Sequence, residues 1–168
     1  AYFQLVLYPV KASAGLAEMY YAAGKNNLYA KQGRVSANDY ANKARELFEL
    51  DKKLSNYYND SIAGGKWKNM MSDIHIGYEQ WSMPKENKLP EMQEVVPLSV
   101  PTMGVATEGS QLAWPGSTQS AQLPVFDLIN NRSYYIDIFN KGVGAFEFKT
   151  KVDKPWIILS QTKGKVEK

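Results

Sequence analysis

The 168-residue chain contains no cysteine and only one histidine, His75. The lack of cysteine excludes disulfide bonds and cysteine-ligated zinc sites. Because His75 has neither a second histidine nor an acidic cluster to complete a coordination sphere, the sequence predicts no metal and no cofactor. A long hydrophobic run is also missing: no stretch reaches the ~18 apolar residues that a membrane-spanning helix requires, so we expect no membrane partner.

The chain also lacks a strong charge. Lys and Arg number 20 against 17 Asp and Glu, which gives a net charge of +3. No basic stripe with interleaved aromatic side chains is present, which argues against a nucleic-acid partner. In contrast, 44% of the residues are hydrophobic and 12% are aromatic, enough to build a packed core. The 11 tyrosines and 4 tryptophans favour large packed surfaces, or contacts with carbohydrate or protein.

The first part of the chain has helical periodicity. Leu16, Met19 and Ala23 recur at the spacing of one buried helical stripe. Pro9 should kink or restart this helix, because proline removes a backbone N–H donor. Gly33 is expected to end the helix in a left-handed conformation, which glycine adopts without steric cost.

A second helix is predicted to begin after Ser36, a good N-cap residue, and to end before Gly64. Its short connection to the first helix predicts two antiparallel neighbours. Gly15 in the first helix predicts a close approach between helices, and residues 66–75 are expected to add one or two helical turns. We interpret residues 1–90 as an antiparallel α-helical bundle followed by an aromatic joint.

From residue 91 onward, prolines and short β-prone runs replace the helical periodicity. Strands are predicted at 98–100, 104–108, 122–126, 134–140, 145–150 and 156–160. The turn at 140–144 is expected to join its two neighbouring strands as a hairpin, and Trp114 and Trp156 are expected in the core. We interpret residues 91–168 as an immunoglobulin-like β-sandwich. We expect it to be truncated at its C-terminus, because residues 164–168 resemble the start of another strand.

The aromatic joint, from Trp67 to Pro84, gathers most of the unusual residues: two of the four tryptophans, three of the six methionines and the only histidine. His75 could transfer protons near neutral pH without a large pKa shift, although a lone histidine more often has a structural role. The carboxylates of Asp73 and Glu79 flank His75, but their spacing defines no geometry for a catalytic pair.

The aromatic side chains of the joint, Trp67, Tyr78 and Trp81, allow two interpretations. They could form a platform on which a sugar stacks, or they could plug the helical bundle against another part of a larger protein. We favour the plug, because methionines surround them and methionine fills irregular apolar gaps. His75, Tyr78, Trp81 and Trp67 are therefore the candidate substrate-binding residues, and no catalytic residue is assigned.

Several strings of residues resemble glycoside hydrolase family 115, the xylan α-1,2-glucuronidases. The resemblance centres on His75-Ile76-Gly77-Tyr78 with Trp81 and Pro84, and it covers nearly the whole chain. The other matching strings are Leu5 to Ala12, Leu28 to Arg34, Gly64 to Trp67, Met70-Met71, Gly109, Ala113 to Gly116, Tyr135 to Gly142 and Pro155 to Ile157.

This resemblance implies a piece of a larger enzyme that removes glucuronic acid, or its 4-O-methyl form, from xylan. In that family an α/β domain and a (β/α)8 barrel precede a helical bundle and a β-sandwich, and this chain resembles only the last two parts. The barrel supplies the catalytic carboxylates, so no family catalytic residue can be carried onto a position of this chain. The resemblance further implies a bacterial source and a periplasmic or secreted location.

Two functional interpretations remain open. In the first, the chain is a non-catalytic accessory or scaffold region whose partner is the catalytic barrel of the parent enzyme. Xylan or xylo-oligosaccharides would then be bound only through the full-length enzyme. In the second, the chain is a stand-alone module that binds carbohydrate or protein, and a homodimer is one form of this interpretation.

Overall fold

The computed structural model describes residues 1–78, 84–127, 129–130 and 132–167. The chain divides into two compact units. The helical unit comprises Ala1–Asn27 and Asn38–Gln93, and the strand unit comprises Leu28–Ala37 and Glu94–Lys168. The predicted order, helices followed by strands, is confirmed.

Two long helices dominate the first part of the chain: α1 spans Tyr8–Lys31 and α2 spans Ala37–Asp60. A π-helical turn, Phe3–Leu7, precedes α1, and a 3-10 turn, Ile62–Gly65, follows α2. The helix type changes from π to α at Tyr8, directly before Pro9, whose ring nitrogen has no N–H to donate. The kink or restart expected at Pro9 stays a prediction.

Glycines end both helices as the sequence predicts. Gly33 has a φ of 70° and its N–H donates to the carbonyl of Ala30 at 2.9 Å. The N–H of Arg34 donates to the carbonyl of Tyr29 at 3.0 Å, which completes a Schellman motif. After α2, the left-handed conformations of residues 63–65 prevent the helix from continuing.

The helices are antiparallel neighbours, as the short connection predicts. Within the helical unit, Tyr8 at the start of α1 packs on Tyr58 near the end of α2, with ring centroids 4.6 Å apart. Farther along α1, Tyr21 meets Tyr40 near the start of α2, with centroids 6.5 Å apart. The predicted close approach at Gly15 is wrong, because a Cβ at this position would meet no atom within 4 Å.

The segment after α2, here called the strap, comprises the described residues 66–78 and 84–93. It completes the core of the helical unit, because Ile76 lies in one cluster with four side chains of the helices. The members of this cluster are Met19, Ala22, Ala44, Leu47 and Ile76. The prediction of helical turns over 66–75 is wrong: this part of the strap contains turns and irregular backbone. Its left-handed Asn69 and Gly77 are incompatible with a continuous helix.

The strand unit contains two antiparallel pairs among its described residues. β1, Met103–Thr107, pairs with β2, Ile136–Asn140, so that Val105 lies opposite Ile138. β3, Phe146–Lys149, pairs with β4, Lys163–Val166. The strand suspected near the end of the chain is therefore present as β4.

Several strand predictions are wrong. The predicted hairpin across 140–144 does not form, because β2 and β3 pair with β1 and β4 instead. Residues 98–100 contribute a single bridge, in which Leu98 donates its N–H to the carbonyl of Lys141 at 3.0 Å. Residues 122–126 and 156–160 form no strand. Pro124 lies in the first run and Pro155 directly precedes the second. Each lacks the backbone N–H that a strand ladder would need.

Both tryptophans of the strand unit, Trp114 and Trp156, were expected in a core, and Trp156 does not lie in one. The side chain of Trp156 is 73% exposed, so that expectation is wrong. Trp114 is half-buried and its backbone forms a two-way bridge with Val105, with both N–H···O distances at 2.8 Å. Its indole N–H donates to the carbonyl of Gln119 at 2.7 Å, which satisfies the polar end of the ring.

Candidate functional site

The single histidine lies against a buried carboxylate of α2. His75 Nε2 is 2.8 Å from Asp51 Oδ2, and His75 Nδ1 is 2.9 Å from the carbonyl oxygen of Asp73. The side chain of Asp51 is 8% exposed and that of His75 is 36% exposed. The strap therefore contacts α2 through an ion pair whose acidic half is inside the protein.

Both neighbours of the imidazole are hydrogen-bond acceptors. A carbonyl oxygen and an ionised carboxylate can only accept, so the imidazolium, in which both ring nitrogens donate, is the form of His75 that satisfies both contacts. Burial by itself lowers the pKa of His75. The hydrogen bond to the Asp73 carbonyl, the hydrogen bond to Asp51 and the negative charges of both aspartates outweigh burial, and together they raise the pKa above its ordinary value.

The backbone next to His75 is held by one amide side chain of the strap. Asn87 Oδ1 accepts the N–H of His75 at 2.8 Å and the N–H of Ile76 at 2.9 Å. The N–H of Lys88 donates to the carbonyl of Ile76 at 3.2 Å. Ile76 is only 1% exposed, so these bonds satisfy the polar backbone of a residue that fills the core.

Three further side chains of the helices bind the strap. Asn59 accepts the N–H of Met71 at 2.8 Å and donates to Ser72 Oγ at 3.1 Å. Asn26 both donates to and accepts from the backbone of Gln93, at 2.8 Å each. The hydroxyl of Tyr20 accepts the N–H of Gly77 at 3.2 Å. The strap is thus fixed by specific polar contacts as well as by apolar packing.

Sequence reasoning did not identify these contacts, although one signal was present. Asn26 follows Met19 by seven residues and Ala22 by four, so it lies on the buried stripe of α1. Asparagine is a poor helix former, and on a buried stripe it needs a hydrogen-bond partner. That pattern predicts that Asn26 forms a hydrogen bond with another segment. No local feature of the sequence identifies its partner, Gln93, which is 67 residues away.

The four candidate substrate-binding residues do not form one described platform. His75 belongs to the ion pair, and the hydroxyl of Tyr78 donates to the carbonyl of Ile74 at 2.9 Å while the side chain remains 55% exposed. Trp67 is half-buried, and its indole N–H is buried without a partner among the described residues. Trp81 lies outside the described residues.

A cavity of about 600 Å³ borders the ion pair within the helical unit. Phe48 and Leu89 supply its apolar lining, and Asn87 contributes an amide. Its charged lining residues are balanced in sign, being Asp51, Glu86, Lys52 and Lys88. The cavity therefore combines an aromatic wall with groups that can both donate and accept hydrogen bonds.

The described residues give no support to Asp73 and Glu79 as a catalytic pair. Asp73 is exposed, and its Oδ1 accepts the N–H of Ile74 at 3.1 Å, a local turn contact. Glu79 lies outside the described residues. Asp51 is the carboxylate that the structure places against His75, and the sequence did not single it out.

A second buried charge lies in the strand unit. Arg34 is 5% exposed, and its Nη1 is 2.9 Å from Asp137 Oδ2. The guanidinium carbon lies 4.1 Å from the ring centroids of both Tyr29 and Phe139. Arg34 Nε donates to Gln32 Oε1 at 2.6 Å. These contacts use the planar, multi-donor character of arginine to hold the strand unit together.

Outside these contacts, the described residues add no further kind of site. The described residues contain no group of three or more side chains suited to hold a metal ion. In the same part of the chain, no helix is both long and apolar enough to cross a membrane. No family model matches the chain, and no curated protein matches its sequence.

Proposed function

We propose that the chain is a non-catalytic accessory region of a xylan α-1,2-glucuronidase of the kind found in glycoside hydrolase family 115. Its partner is the catalytic barrel of the parent enzyme, which removes glucuronic or 4-O-methylglucuronic acid from xylan. The resemblance in sequence motivates this assignment, and the exposed apolar surface of the helical unit supports it most directly.

The beginning of the helical region exposes large apolar side chains close together in sequence. Tyr2 is 69% exposed, Leu5 is 76% exposed and Val10 is 61% exposed. Scattered exposed apolar residues are ordinary, but a run of them on the first turns of a helix marks a surface that binds another partner. We propose that the catalytic barrel covers this surface, here called the N-terminal apolar face and defined by Tyr2, Leu5, Val6 and Val10.

The strand unit has similar exposed side chains. Val125 is 87% exposed, and Ile158 is 91% exposed. We propose that the described strand pairs belong to an immunoglobulin-like β-sandwich, and that the two helices belong to an antiparallel bundle completed by other segments of the parent. The antiparallel pairing of both elements and their order along the chain support this proposal.

The chemistry of the joint agrees with a supporting role. Glycoside hydrolysis uses two carboxylates about 5–9.5 Å apart on either side of the scissile bond. Asp51 is instead committed to an ion pair with His75, and Asp73 to a backbone turn. We propose that the barrel supplies both catalytic carboxylates.

An activity assay tests this function. The chain alone, incubated with aldouronic acids, should release no glucuronic acid above the rate of a buffer control. Addition of a separately expressed family 115 enzyme should release it, which verifies the substrate. Release by the chain alone, abolished when Asp51 or Asp73 is replaced by asparagine, would overturn the accessory assignment.

A stand-alone carbohydrate-binding module is the second candidate. It is favoured by the exposed ring of Tyr78 beside the cavity-lining region of the strap, since sugars stack on exposed aromatic faces. Titration with xylo-oligosaccharides tests it: saturable binding that Tyr78→Ala removes would support it, and a flat isotherm would exclude it. Light scattering over a concentration series would detect the homodimer. A periplasmic or secreted location is proposed separately, on the same family resemblance.

A further inference from the structure

The contacts between the strap and the helices differ in one respect. Asn26, Asn59 and Tyr20 bind the strap through neutral groups, whereas His75 binds α2 through a charge. Only the histidine contact can change with pH in the physiological range. We propose that His75 and Asp51 form a protonation-dependent latch, which holds strap residues 73–76 on α2 more tightly when the imidazole is charged than when it is neutral.

The geometry explains why a neutral imidazole cannot keep both contacts. A neutral ring has one N–H, so one of its nitrogens must direct a lone pair at an oxygen that also carries a lone pair. With the proton on Nδ1, Nε2 turns a lone pair toward the carboxylate of Asp51, which loses its hydrogen bond to the strap. With the proton on Nε2, the hydrogen bond to Asp51 remains but is no longer assisted by the positive charge of the ring, and Nδ1 loses its hydrogen bond to the Asp73 carbonyl. The contact between strap and helix is therefore weaker with either neutral tautomer.

Charged groups surround the latch on each packed segment. Asp51 faces the ring from α2, and Asp73 contributes a second negative charge from the strap itself. Lys52 on α2 and the strap residues Glu86 and Lys88 line the cavity next to Asp51. The two cations and one additional anion of this cavity partly cancel, so the two aspartates determine the sign, and they favour the imidazolium.

The direction of the pH dependence follows from linkage. The folded protein holds the pKa of His75 above its unfolded value of about 6.5, because the hydrogen bonds and charges of Asp73 and Asp51 outweigh the opposing effect of burial. The contribution of the latch is therefore fully present below pH ~6.5 and is lost as the pH rises through the folded pKa. The latch is tight in mildly acidic solution and weakens as the pH rises through the folded pKa.

The weakening is expected to be local, since the neutral clamps remain. Asn59 still binds Met71 and Ser72, Tyr20 still binds Gly77, and Asn26 still binds Gln93. Residues 73–76 should gain mobility, while 71–72, 90–93 and the helices keep theirs.

Two NMR measurements on the whole chain test the latch. Titration of the His75 ring protons gives its pKa, which should exceed 6.5. Amide hydrogen exchange, corrected for the intrinsic effect of pH, should show protection of Ile76 falling about tenfold across that titration. The amide of Gln93 serves as an internal control and should not change in the same range.

Matched variants separate the latch from general stability. His75→Gln keeps one donor but cannot titrate, so the protection of Ile76 should become independent of pH. Asp51→Asn should lower the pKa of His75 toward its ordinary value while the ring can still be observed. A wild-type His75 that titrates below pH 6.5, or protection of Ile76 that is independent of pH in the wild type, would overturn the proposal. Neither result depends on the accessory function.

Discussion

Arg34 Nη1 lies 2.9 Å from Asp137 Oδ2, and this pair joins the turn between the helices to β2 within the strand unit. The two partners are unequal, because the side chain of Arg34 is 6% exposed and that of Asp137 is 38% exposed. Removing one partner therefore has a different consequence from removing the other. The buried cation depends on the pair more than the half-exposed anion does.

The first prediction concerns this asymmetry. Asp137→Ala leaves the guanidinium of Arg34 buried without its carboxylate, which should lower the free energy of unfolding by about 2–4 kcal/mol. Glu147→Ala, at an exposed position of β3, is the matched control and should change it by less than about 0.5 kcal/mol. Urea denaturation measures both variants. Equal effects would show that the pair contributes no more than a surface carboxylate.

The second prediction concerns the backbone of the strap at Gly77. Its φ is 92°, and a Cβ added there would lie 2.9 Å from the Cβ of Lys88 and 3.1 Å from the Lys88 carbonyl oxygen. Gly77→Ala should therefore destabilise the protein by about 1–3 kcal/mol. The control is Gly15→Ala on α1, where a Cβ meets no atom within 4 Å.

In the control, alanine should increase stability by about 0.5–1 kcal/mol, because it loses less backbone entropy than glycine in a helix. Thermal unfolding followed by circular dichroism compares the two variants with the wild type. If Gly77→Ala is neutral, the strap does not hold the left-handed conformation described for it.

The third prediction concerns the buried amide of Asn26. Replacement by alanine removes both hydrogen bonds to the backbone of Gln93, each worth about 0.5–1.5 kcal/mol, and leaves a cavity where a fully buried side chain stood. We expect a loss of about 2–4 kcal/mol for Asn26→Ala, and faster hydrogen exchange at Gln93. Asn42→Ala on the exposed side of α2 should be neutral or slightly stabilising. Similar losses for both variants would contradict a clamp at Gln93.

The parts of the fold that the sequence predicted are those with local signals. Gly33 and the glycines at 64–65 adopt the left-handed conformation that ends a helix, which glycine reaches without steric cost. Both helix ends therefore follow from the sequence. The antiparallel helix pair follows from the short connection. These features need no knowledge of distant contacts.

The parts that were missed depend on long-range partners. β2 pairs with β1 and β3 pairs with β4, so each strand has a partner distant in sequence, which the turn residues at 140–144 do not reveal. Asp51 and His75 are 24 residues apart, and nothing in the local sequence relates them. The sequence therefore identified His75 as a candidate residue, but it did not identify the acidic partner, Asp51.

The fourth prediction is that the N-terminal apolar face is a binding surface and not a source of stability. Leu5→Lys with Val10→Lys should change the free energy of unfolding by less than about 1 kcal/mol, because both side chains are largely exposed in the chain alone. Urea denaturation measures this change. A larger loss would indicate that the face is covered by the chain itself, which would remove the surface proposed for the barrel.

Association with the proposed catalytic barrel is the decisive measurement. The α/β domain and barrel of the proposed parent enzyme, expressed separately, are titrated with the chain in a calorimeter. We predict a saturable complex that is lost in the Leu5→Lys, Val10→Lys variant and retained in Glu46→Lys, a control at an exposed position of α2. A flat isotherm with the wild-type chain, or equal affinity for both variants, would contradict an accessory region that docks through its N-terminal apolar face.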